Sequence, residues 1–156
     1  MVFEHPGDRV IVLLSSGNVA GTQAVIGVLK QRAGAEADDL TIWTAPTMFD
    51  VANRVADAVR DIERATASIL HRARSSSASF ILGGQIRGEA PRPFRIYAEG
   101  NFLRPGVDTV SAGRRNQMRQ ARFIDRIIYP VDLAADAAKC MLVSFDSTMR
   151  SNLPVG

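Results

Sequence analysis

The stretch that decides the fold is SASFILGGQIRGEAPRPFRIYAEGN, residues Ser77–Asn101. Its first run, Ala78–Ile86, is short, apolar and bounded by serine and glycine, and its second, Pro93–Ala98, alternates apolar with polar residues. Both patterns are typical of β-strands. Between them, Arg87–Arg92 supplies the glycine and proline that a hairpin loop needs. We therefore predict two antiparallel strands in the middle of a sheet.

Helical patterns precede this hairpin. A strand is predicted at Arg9–Leu14, and the turn Ser15–Asn18 leads into a helix from Val19 to about Gln31. A second helix opens at Thr44–Thr47 and extends to about Leu70. Its apolar residues recur at spacings of three and four, which indicates one buried stripe: Met48, Val51, Ala52, Val55, Ala58, Val59 and Ile62.

The C-terminal third predicts two more helices after a loop at Asn101–Thr109, one ending near Tyr129 and one starting at Pro130. The order is strand, two helices, two strands, two helices. Such an order places helices on the faces of an antiparallel sheet, so the predicted fold class is α/β, of the layered α+β kind. A length of 156 residues predicts a single domain spanning residues 1–156.

Composition and the N-terminal segment narrow the class of protein. The chain is 46% hydrophobic and 22% charged, which is typical of globular proteins. The longest apolar run near the N-terminus, Val10–Leu14, has five residues, too few for a signal peptide or a membrane span. The one cysteine, Cys140, cannot form an intrachain disulfide, which favours a reducing, cytoplasmic location.

The net charge of +3 has a local origin. Five arginines against one aspartate within Ser111–Arg126 give that segment a charge of +4, so the rest of the chain sums to −1. A basic nucleic-acid-binding protein is therefore one alternative, but no aromatic residue interleaves with these arginines. We expect no nucleic-acid partner and no membrane partner.

Few residues are suited to side-chain chemistry. The two histidines, His5 in a predicted terminal loop and His71 on the charged end of a helix, leave little material for a catalytic triad or a zinc site. No glycine-rich phosphate loop is present in the sequence. We expect no cofactor and no metal.

The turn Ser15–Asn18 is the main candidate site. A tight turn between a strand and a helix N-terminus directs backbone N–H groups outward, where they can bind an oxyanion or a peptide. The alternative is that Ser16 or Asn18 only caps the helix.

Five blocks in order carry a resemblance to a known family: Val10–Val25, Thr44–Phe49, Ser79–Ile86, Ile96–Phe102 and Ser144–Leu153. They resemble the bacterial proteasome-type proteases called Anbu, or ancestral β-subunits. The resemblance implies an N-terminal-nucleophile hydrolase fold, an αββα sandwich of two sheets between helix layers. It also implies a homo-oligomer, a ring or a spiral, that hydrolyses peptides or unfolded proteins.

The family's nucleophile is an N-terminal Thr or Ser whose own amino group acts as the base, assisted by an Asp and a Lys. None of these three residues has a match in this chain. We therefore expect the chain to be truncated at both ends, the sandwich to be incomplete, and the chain to be inactive as written. We also expect Arg9–Leu14 to have an unpaired edge. A non-catalytic paralogue or assembly subunit with the same scaffold is the alternative.

The family's site residues map onto the turn. By resemblance, the backbone N–H of Gly17 forms the oxyanion hole, and Ser16, Asn18 and Val19 lie beside the pocket for the substrate side chain. Asp146 and Ser151 match positions near the nucleophile.

The segment Val110–Ala121 departs from the family pattern. Codons chosen for it can be read one base later as a Gly-Glu-Thr-Lys run, which resembles the family block at that place. We hypothesise that it is a frameshifted reading. Resequencing tests this, and codons without that alternative reading would contradict it.

Overall fold

A computed structural model describes residues 1–34, 40–69 and 78–105, together with residues 139 and 142. The chain divides into two compact units, Met1–Arg104 and Pro105–Gly156. The first contains the elements described below. In the second, Lys139 and Leu142 are helical, at positions where a helix is predicted. The prediction of one domain stays a prediction.

The described residues of the first unit form a five-stranded antiparallel sheet with two helices. In chain order the elements are β1 (Val2–His5), β2 (Arg9–Gly17), α1 (Val19–Ala33), α2 (Met48–Ile69), β3 (Ala78–Ile86), β4 (Arg92–Ile96) and β5 (Phe102–Leu103). The strands follow their numbering across the sheet, so β3 is central. The mixed α/β class and the antiparallel hairpin in mid-sheet are confirmed.

The helices cover one face of the sheet, which we call the inner face. Alternate strand residues such as Leu13, Phe80 and Leu82 are buried there against the stripe of α2 and against Val25 and Leu29 of α1. The predicted stripe of α2 is confirmed from Met48 to Val59, and Ile62 is half-buried at its margin.

The loop between the helices is held at the foot of the sheet by a buried arginine. The Arg9 Nη1 donates to the carbonyl oxygens of Ile42 at 3.2 Å and Ala45 at 2.9 Å, and its Nε donates to Asp8 at 2.6 Å. These bonds satisfy most of the hydrogen-bond donors of the Arg9 guanidinium, and the residue is only 9% exposed.

The structure corrects the prediction at the N-terminus. His5, predicted to lie in a terminal loop, is the last residue of the strand β1, and Phe3 of the same strand packs edge-on against Trp43. The register pairs Val2 with Val12 and His5 with Arg9. The expectation of an unpaired edge at Arg9–Leu14 is therefore wrong, because β1 covers it.

Three further boundaries differ. The second strand continues through Ser15 and Ser16 to Gly17, because these residues pair with Phe80, Ser79 and Ala78 of β3. The fourth strand spans Arg92–Ile96 and therefore ends two residues before its predicted end at Ala98. A turn follows, in which the Gly100 N–H donates to the carbonyl oxygen of Tyr97. Residues Phe102–Leu103, predicted as loop, form the short β5.

Candidate functional site

The candidate site is the junction between β2 and α1. The second strand ends at Gly17, whose φ of 111° lies in the region that favours glycine. One residue later the chain enters α1 at Val19. The predicted turn is thus tighter than expected, because only Asn18 separates strand from helix.

Asn18 caps α1. Its backbone is extended, with φ −70° and ψ 122°, and its Oδ1 accepts hydrogen bonds from the Ala20 N–H at 2.8 Å and the Gly21 N–H at 3.3 Å. Its carbonyl oxygen accepts from the Thr22 N–H at 3.0 Å. Of the two capping candidates left open by the sequence, the structure selects Asn18.

Of the predicted pocket residues, only Ser16 lies in the sheet, whereas Asn18 and Val19 belong to the cap and first turn of α1. Successive strand residues point to opposite faces, and Ile11 and Leu13 are buried on the inner face. Ser16 therefore lies on the opposite, outer face with the exposed Leu14. Gly17, Asn18 and Val19 are consecutive at the junction, and Val19 is 69% exposed. Asp146 and Ser151 lie outside the described residues.

The sequence places Ser15 in the candidate turn but assigns it no role of its own. The alternation that buries Leu13 places Ser15 on the inner face, opposite Phe80 in the register and two residues from Gly17. If the predicted strand had been extended past Leu14, the same alternation of faces would have placed Ser15 on the inner face.

The junction is anchored on both sides. Gly17 pairs with the buried Ala78 at the start of β3. Val25 and Leu29 bury one side of α1 against the sheet, and Arg32 Nη2 pairs with Asp61 of α2 at 2.5 Å. The turn thus connects two fixed elements.

Charge is absent from the sequence around the junction, since no Asp, Glu, Lys or Arg occurs between Arg9 and Lys30. Among the described residues, a pKa shift is resolved at the other end of β2. There, the hydrogen bond from Arg9 holds the pKa of Asp8 below its ordinary value. The junction is therefore suited to binding an anion through neutral N–H groups, and any charged side chain that acts there must come from another part of the sequence.

Within residues 1–34, 40–69 and 78–105, no three His, Cys, Asp or Glu side chains cluster as metal ligands. In the same part of the chain, neither α1 nor α2 is long and apolar enough to span a membrane.

Comparison with known proteins identifies the scaffold. No family model and no curated protein matches the chain. Several solved structures do. Anbu from Hyphomicrobium sp. strain MC1 is 42% identical with a TM-score of 0.82. Anbu from Yersinia bercovieri is 31% identical with a TM-score of 0.86. The helical assembly of the Anbu complex from Pseudomonas aeruginosa is 34% identical with a TM-score of 0.86.

All of this chain is covered in each comparison, and it spans 64% of the length of each matched protein. The match extends over both compact units and includes the β2–α1 junction. The resemblance inferred from the sequence is confirmed: over its whole length, the chain matches solved structures of Anbu, the proteasome-like ancestral β-subunit protein.

Proposed function

We propose that the chain belongs to a proteasome-type threonine peptidase subunit in which the Gly17 N–H forms the oxyanion hole. The observation that carries the proposal is the junction, where a glycine with φ 111° stands between a paired strand and a capped helix on an Anbu-type scaffold. Peptides or unfolded proteins are the substrate class, and the cytoplasm is the location.

The chemistry needs a fixed donor. As the nucleophile attacks a peptide carbonyl, negative charge develops on the carbonyl oxygen, and a prepositioned N–H stabilises it without reorganisation. A backbone amide held between β2 and α1 meets this requirement. In this proposal the nucleophile is an N-terminal Thr or Ser with its own amine as base, and Asp146 and Ser151 support it.

The outer face of the sheet supports the αββα arrangement. It presents apolar side chains that are exposed or half-exposed, and Gly83 at its centre has open space above it. A sheet with one helix-covered face and a second apolar face requires another layer. We propose that a second sheet packs there. The apolar outer-face residues are Val2, Val10, Val12, Leu14, Ile81 and Leu103.

We further propose self-assembly. The Pseudomonas aeruginosa relative forms a helical assembly, and a subunit with the same scaffold is expected to associate with copies of itself. No nucleic-acid or membrane partner forms part of the proposal.

The test uses the complete gene product and two glycine variants. Gly17→Ala places a side chain at a φ of 111°, which strains the turn. The matched control is Gly27→Ala, because a Cβ at Gly27 of α1 has no atom within 4 Å. Hydrolysis of fluorogenic peptides and labelling by an N-terminal-threonine-directed electrophile are measured in parallel.

The wild type and Gly27→Ala should hydrolyse peptides and be labelled. Gly17→Ala should lose roughly 100-fold or more in kcat, as expected for a disrupted oxyanion donor, while retaining its fold by circular dichroism. A wild type that is folded and assembled but inert and unlabelled would overturn the proposal and favour the non-catalytic assembly subunit.

A further inference from the structure

We propose that Asn18 is a positioning residue for the Gly17 amide, acting through the cap of α1 and not by contact with the substrate. The inference rests on the proposed function, since it assigns a role within the same turn. It differs from the sequence-based expectation that Asn18 lines the substrate pocket.

The side-chain oxygen of Asn18 is engaged by the first turn of α1. Its Oδ1 already accepts from the N–H groups of Ala20 and Gly21. Because both partners are N–H donors, the side-chain atom of Asn18 that faces them must be the amide oxygen and not the amide nitrogen. The Ala20 and Gly21 amides are thereby engaged by the cap and not by an anion at the turn, whereas the N–H of Gly17 is not among the groups that Asn18 binds.

The backbone at Gly17 is held from two sides. Glycine has wide freedom in φ, so the 111° at Gly17 must be held by its neighbours. On one side Gly17 pairs with Ala78 of β3. On the other, both the side chain and the carbonyl of Asn18 bind the first turn of α1. Removing the side-chain bonds leaves that turn free to fray and loosens one of the two anchors.

A matched cap on the other helix provides the control. Thr47 Oγ1 accepts from the Asp50 N–H at 3.1 Å at the start of α2. Thr47→Ala thus removes a helix cap without touching the β2–α1 junction. Asn18→Ser keeps a capping oxygen but lacks the amide group, whereas Asn18→Ala lacks both.

The positioning claim is tested on the 156-residue chain by NMR. Asn18→Ala should shift the Gly17 amide resonance and speed hydrogen exchange at Ala20 and Gly21. Asn18→Ser should restore both, and Thr47→Ala should change neither. Unchanged resonances in Asn18→Ala would overturn the inference, and this measurement needs no catalytic activity.

Kinetics on the complete gene product gives the second readout. Misplacing a reacting group slightly costs up to about 100-fold in rate, so kcat of Asn18→Ala should fall about 10-fold to 100-fold with little change in KM. Asn18→Ser and Thr47→Ala should stay near wild type. If Asn18→Ser is as slow as Asn18→Ala, the amide contacts the substrate and the inference is wrong. An inert wild type would contradict the proposed function alone.

Discussion

The two faces of the sheet differ in what covers them, although both are apolar. On the inner face, Leu13 is 3% exposed beneath the helices, and on the outer face its neighbour Leu14 is 52% exposed. The run Val10–Leu14 is apolar at every position, whereas a strand with one wet face alternates. This apolar pattern supports the proposed second layer on the outer face, while α1 and α2 cover the inner face.

The largest expected effect comes from substituting this leucine pair. Leu13→Ala removes a buried side chain and should lower the free energy of unfolding by about 2–5 kcal/mol. Leu14→Ala, the matched control on the same strand, should change it by roughly 0.5 kcal/mol or less in the 156-residue chain. Equilibrium urea unfolding measures both, and equal losses would show that the two faces are equally covered.

The same pair of variants tests the proposed second sheet in the complete gene product. If a second sheet packs on the outer face, Leu14→Ala there should approach the cost of Leu13→Ala, because its side chain becomes buried. An unchanged, small effect would contradict the proposed sandwich while leaving the inner-face result intact.

The sequence predicted best the elements in which a regular pattern extends over many residues. The predicted bounds of the central strand, Ala78–Ile86, and the predicted start of α1 at Val19 are those that the structure shows. In α2, the apolar residues recur at spacings of three and four over three turns, and this pattern indicates an amphipathic helix.

The missed elements are short, and their stability comes from partners. The strand Val2–His5 has four residues, two of them polar, and is recognisable only through its pairing with β2. A signal was present, because Pro6-Gly7 is a turn dipeptide and Gly7 has φ 77°. Phe102–Leu103 is too short for any periodicity.

The candidate site was predictable in position but not in detail. Gly17 and Asn18 stand out in the sequence as turn residues, and the structure places them at the junction. Which side chain caps the helix, and on which face Ser16 lies, depend on the register with β3, which is a long-range property.

A second, smaller test uses adjacent glycines on opposite faces. At Gly84, on the inner face, a Cβ would collide with the Val10 carbonyl oxygen and lie 3.1 Å from the Ile11 Cα, whereas at Gly83 it would meet nothing within 4 Å. Gly84→Ala should therefore cost about 1–3 kcal/mol, as for an overpacked core.

Gly83→Ala is the control and should stay within about 0.5 kcal/mol of wild type in urea unfolding. A tolerated Gly84→Ala would mean that β2 and β3 can separate at this point. A costly Gly83→Ala would instead indicate that the outer face is already covered.

The smallest expected effect concerns the charged pair of Asp8 and Arg9 at the start of β2. Asp8 pairs with the buried Arg9, and the hydrogen bond from the Arg9 Nε, reinforced by the charges of Arg9, His5 and Arg87, lowers the pKa of Asp8 from its ordinary 3.8. A carboxylate whose folded pKa is lowered stabilises the protein fully above its unfolded pKa. That contribution is lost as the pH falls through the folded pKa.

Asp8→Asn should therefore reduce the loss of stability on acidification from about pH 6 to about pH 3, the range that brackets the ordinary carboxylate pKa. Glu4→Gln is the control, because Glu4 is exposed on the outer face of β1 and its side chain has no hydrogen bond or ion pair to the described residues. It removes the same charge and should leave the pH dependence of the urea midpoint as in wild type. If the two variants behave alike, the inner-face arginine is held by the carbonyls of Ile42 and Ala45 alone, and its ionic partner adds nothing.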